Sequence, residues 1–104
     1  MSAQLTEAEF SNHLNTNFQF DCGPYGHIDL KLVEVKTYLS NPGDQTGLER
    51  FSLYFRGPAQ PMLDQRAYPV NHEAMGPMHI FIVPLQPDHE GTQYEAVFNY
   101  YKNK

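Results

Sequence analysis

From Phe18 onward the chain alternates apolar and polar residues in short runs, the period-two pattern of strands with one buried face. Phe18-Gln19-Phe20 opens the series and Cys22-Gly23-Pro24-Tyr25-Gly26 breaks it. Between His27 and Leu39 the apolar residues Ile28, Leu30 and Leu32 share one parity, Val33 and Val35 the other. The buried face therefore switches sides midway, which predicts a β-bulge or strong coiling. Residues 40–47 read as a loop. Phe51, Leu53 and Phe55 then point one way and Ser52, Tyr54 and Arg56 the other.

Ala67 to His72 predicts a short strand whose Pro69 suits a sheet edge. Met78 to Leu85 is apolar on both parities apart from His79, which predicts a central strand. Pro87 to Gly91 is a hairpin loop, and Tyr94, Ala96, Phe98 and Tyr100 line one face of the last strand.

One helix precedes the strands. Thr6 and Glu9 have the spacing of a capping box, and Leu5 can staple onto Phe10. Phe10 and Leu14, four apart, share a face that would lie on the core, with the polar run Asn15-Thr16-Asn17 as the stop. The expectation is a single mainly β domain over residues 1–104: a short N-terminal helix at about 7–15, then about six mostly antiparallel strands within 17–101. Connections this short leave no room for helical crossovers, so the sheet forms a small sandwich or a partly closed barrel.

Composition narrows the function classes. At 104 residues the chain holds one ordinary core. A net charge of −5 with only seven Lys and Arg lacks the phosphate-neutralising patch that nucleic acids require. Anionic membrane surfaces are disfavoured for the same reason. The longest apolar run, Ile80 to Val83, is far too short to span a bilayer, and no signal peptide is visible. A cytoplasmic protein, or one exported as part of an assembly, is the expectation.

The single cysteine, Cys22, excludes an internal disulfide and a Cys-rich zinc site. The five histidines, 13, 27, 72, 79 and 89, lack the close spacing of metal ligands, so no metal and no cofactor is assigned. Cys22 has His27 five residues away but no aligned Cys/His/Asn set, and no serine sits in a nucleophile elbow. No residue is assigned as catalytic.

Binding candidates remain. Arg56 and Glu95 can pair if their strands are neighbours, either as a register-holding ion pair or with Arg56 orienting a ligand. Seven tyrosines are more phenols than a core this size takes, so several should be exposed as interface or sugar-binding anchors. Tyr54 is outward by parity. Tyr54, Arg56, Tyr68, His72 and Glu95 form the candidate set.

Phe51-Ser52-Leu53-Tyr54-Phe55-Arg56-Gly57-Pro58, the Tyr68 and His72 turn region followed by Gly76, Phe81-Ile82-Val83-Pro84, and Tyr94-Glu95-Ala96-Val97-Phe98-Asn99 occur in that order. In these motifs the chain resembles a family of small bacterial proteins known as a domain of unknown function, most tightly across residues 50–99. Asp64-Gln65-Arg66-Ala67 departs from the family's Gly-containing turn. The resemblance implies no activity, but such proteins are encoded near phage-tail-collar-like proteins, which implies a structural or accessory role.

The leading expectation is a non-enzymatic protein-interaction or structural module of a bacterial, phage-tail-like assembly, with another protein as partner and self-association open. The alternative is a small-ligand or carbohydrate-binding barrel. A metal-dependent, cupin-like enzyme is the third reading and rests on the histidines alone.

Overall fold

The computed structural model describes residues 7–37, 48–60, 62–87 and 89–101, with residues 48, 49 and 99–101 described by backbone alone. The proposed Thr6 cap, the Leu5 staple and the loop at 40–47 lie outside the described residues. After α1 (Glu7–Ser11) come six strands: β1 (Asn17–Asp21), β2 (His27–Thr37), β3 (Leu48–Gly57), β4 (Arg66–His72), β5 (Gly76–Pro84) and β6 (Thr92–Tyr101). They close into a barrel in the order β1-β2-β3-β6-β5-β4, every pair antiparallel. Of the two sequence-based alternatives, sandwich and barrel, the barrel forms.

Alternation decides which side chains fill it. Phe18 and Phe20 of β1, Leu30 and Leu32 of β2, Phe51, Leu53 and Phe55 of β3, Met78, Ile80 and Ile82 of β5, and Tyr94 and Ala96 of β6 are all buried. Phe55 meets Phe18 and Phe20 edge-on, both with centroids 5.4 Å apart, while Phe51 stacks on Phe98 at 5.1 Å. Such ring pairs contribute about 0.5–1.5 kcal/mol each beyond their buried area.

The parity switch in β2 is a bulge. Lys31 and Leu32 face Arg56 and Phe55, then the register slips so that Glu34 faces Tyr54 and Val35 faces Leu53. The extra residue, Val33, lets apolar residues of both parities serve the same interior.

Both ends of the barrel are stoppered. At one, Phe10 of α1 rests on Phe18, Phe51 and Phe98. The chain leaving the helix turns through Asn15 in a left-handed conformation (φ 67°), whose N–H donates to the Leu32 carbonyl. The helix therefore stops at Ser11, short of the expected Asn15, and Leu14 is 38 % exposed instead of lying on the core. At the other end buried Leu63 donates its N–H to the Tyr94 hydroxyl, 2.8 Å away. There the chain closes tightly on itself: Gly91 has φ 124°, and a Cβ on it would collide with the Gly57 carbonyl oxygen.

Two joins are uneven. β3 and β6 share ten rungs, from Leu48 opposite Tyr101 to Gly57 opposite Thr92. β5 and β6 share two, Val83 opposite Glu95 and Pro84 opposite Tyr94. The central position expected of β5 is thus only partly realised, since most of its length is paired on the β4 side alone. β4 is not an edge strand as Pro69 suggested; it lies between β1 and β5. The proline is accommodated because the β1–β4 ladder consists of Gln19 opposite Asn71 and Phe20 opposite Val70, and ends before reaching it.

Candidate functional site

The five sequence-derived candidates separate into an outer group and an inner pair. Tyr54 and Glu95 stand opposite each other on the outer face of β3 and β6. One carboxylate oxygen, Glu95 Oε2, accepts hydrogen bonds from Tyr54 Oη–H and Ser52 Oγ–H, both at 3.1 Å. The shared carboxylate oxygen links the three side chains across the ladder. Arg56 lies on the same face two rungs away, opposite Lys31 on one side and Gln93 on the other.

Tyr68 and His72 turn inward with Val70 between them, in the alternation of β4. Tyr68 packs edge-on to Phe20, carries the Arg66 guanidinium 4.7 Å from its ring centroid, and donates its hydroxyl to the Asp64 carbonyl. Burial pushes its phenol above the ordinary range.

His72 is held on every side. Its Nδ1 accepts the backbone N–H groups of Ala74 and Met75 at 3.0 and 3.1 Å, which closes the turn into β5. Two donors on Nδ1 fix the proton on Nε2, which donates to Thr16 Oγ1 at 2.9 Å, and Thr16 in turn donates to the His13 carbonyl. The ring lies against Phe18 and His13. Burial first, then the neighbouring His13, lowers its pKa below the usual value. Among the described residues no group of three His, Cys, Asp or Glu side chains is placed to hold a metal ion. Cys22 is buried, with its thiol pKa raised chiefly by that burial, the opposite of what a nucleophile needs.

A concave surface that strand-by-strand reading did not find lies outside the barrel on β1, β4 and β5. It forms where Pro69 cannot continue the β1–β4 ladder, and it encloses about 440 Å³. Gln19, Asp21, Asn71, His27 and His79 supply its polar wall. Pro69, Pro77, Val70 and Met78 supply its apolar part. Two rows of outward side chains cross it: Gln19, Asn71 and Pro77 in one, His27 with Asp21, then Pro69 with His79, in the other. β1, β4 and β5 each give two of these outward residues and β2 gives His27, and only the register between strands gathers them.

Fold and site together define a small stoppered antiparallel barrel whose accessible chemistry is on its outside. The family model of DUF6916, a domain of unknown function, matches residues 5–98, and the chain belongs to that family. No curated protein and no solved structure matches it.

Proposed function

We propose that the protein is a non-enzymatic interaction or structural module that acts through the outer surface of its barrel. The observation that carries this reading is the filled interior. Aromatic and aliphatic side chains from all strands occupy it, Phe10 and Leu63 close its ends, and the buried polar atoms of His72, Tyr68 and Tyr94 bond to the protein's own chain. A ligand would therefore meet the outer face. That face exposes Phe81 and Val97, 51 % and 57 % accessible, on the neighbouring strands β5 and β6. Aromatic and aliphatic side chains left in water on an outer face are the kind of anchor that protein interfaces use.

A bacterial assembly of phage-tail type, reached either in the cytoplasm or after export, is the setting that the family resemblance supports. The groove is the observation that favours a small ligand or carbohydrate instead, and it would place that ligand outside the barrel. The test is affinity capture with cross-linking from a lysate of the source organism, using the full chain beside a folded Phe81→Ser/Val97→Ser variant. A reproducible partner cross-linked to the outer strands is the expected result. A strict monomer that captures nothing overturns the reading.

A further inference from the structure

The groove on β1, β4 and β5 gathers polar groups that the fold leaves unengaged. The side chains of Gln19, Asn71, His27 and His79 make no hydrogen bond or ion pair among the described residues. Asp21 gives one oxygen, Oδ1, to the Gly23 N–H at 3.1 Å and leaves the other open. No Lys or Arg lines the surface. Arg66, at the rim of β4, is laid over the Tyr68 ring. Asp29, next to Gln19 across β2, adds a second carboxylate on the same side, in a chain of net charge −5. The local field therefore favours a cation and disfavours phosphate or carboxylate.

Size and layout restrict the occupant further. A volume of about 440 Å³ suits a compact ligand or a few side chains, and is far from the footprint of a globular partner. Two parallel rows, one crossing three strands over about 10 Å and the other four strands over about 14 Å at the usual strand spacing, match alternate side chains of an extended segment. Asn and Gln amides offer donor and acceptor together, which is what a peptide group requires.

We propose that this groove docks an extended basic and apolar segment of a partner protein. One large aliphatic or aromatic side chain lies on Pro69, Pro77 and Met78, an Arg or Lys side chain lies against Asp21, and Gln19 and Asn71 hold the segment's main chain. The proposal rests on the interaction-module reading and gives it a surface and a partner chemistry.

The experiment titrates the isotopically labelled full chain with an octapeptide of alternating Leu and Arg, followed by backbone amide NMR shifts. Octapeptides of Leu and Glu and of Ser and Arg serve as controls, with maltohexaose as a sugar probe. Saturable shifts at Gln19, Asp21, Asn71 and His79 are expected with Leu-Arg alone. Asp21→Asn, with its spectrum otherwise retained, should weaken binding roughly two- to fivefold, the effect of one exposed charge pair. Equal shifts with Leu-Glu, shifts confined to other strands, an unaltered Asp21→Asn titration, or saturation of these amides by maltohexaose instead would each overturn the proposal. Lysate capture separates the two levels. A partner kept by a folded Asp21→Asn/Asn71→Ala variant removes the groove while leaving an interaction module, whereas no partner for the wild type removes the module itself.

Discussion

The behaviour of single residues here follows from which side of the wall they occupy. His72 is a polar residue in an apolar place, tolerated because Nδ1 and Nε2 both have partners. Protonation would put a second N–H on Nδ1, facing the N–H groups of Ala74 and Met75. Its pKa is lowered in the folded state, so the unfolded chain binds more protons and stability falls as pH drops below the ordinary value of 6.5. Urea midpoints measured from neutral to mildly acidic pH should show that decline, and His72→Gln should flatten it. His72→Phe leaves two turn amides without an acceptor and should cost about 2–4 kcal/mol at neutral pH, read from the same denaturation curves. In the sequence, His72 is already in step with Tyr68 and Val70, so its inward direction was legible. What alternation does not carry is the acceptor for Nε2–H, the Thr16 hydroxyl, fifty-six positions away.

Among the elements, the strands were the most legible because their period survives in the sequence. The bulge in β2 is visible as a change of parity at Val33. The helix was less so: a spacing of four between Phe10 and Leu14 implies a shared face only if the helix continues, and Asn15 reverses the chain first. The contrast is measurable. Phe10→Ala empties a site among three phenylalanines and should lose about 3–5 kcal/mol, whereas Leu14→Ala should stay within about 0.5 kcal/mol of wild type. Equal losses in thermal denaturation would mean that Leu14 is core. Pro69 misled as an edge marker because a proline needs only one unpaired side, and a ladder that ends early supplies it inside a closed barrel. The groove has the same origin, and it escaped sequence reading because its residues come one or two at a time from four strands and meet only through the register.

For the whole molecule, closure was the least legible property, since it depends on register between strands far apart in sequence. The seam between β5 and β6, like that between β1 and β4, is held by two rungs only. The bond from Leu85 N–H to the Gln93 carbonyl sets the alternation, so Val83 also points its main chain at β6, and Phe81 and His79 follow suit beyond the last rung. Their amides should exchange hydrogen much faster than those of Phe51 to Phe55 when followed by NMR, and equal protection would show that the seam is zipped in solution.

The strong join sets a timetable. β6 owes ten rungs to β3, formed earlier in the chain, and two to its immediate predecessor. During synthesis the hairpins of β1 with β2 and of β4 with β5 can form as they emerge, but β3 keeps one bare edge until β6 arrives. Because the closing contacts span about half the chain, folding should be slow for a protein this small. In that interval the alternating segment Phe51 to Phe55 is the stretch most open to pairing with the wrong chain, and a cell making this protein in quantity benefits from bringing β6 to β3 quickly.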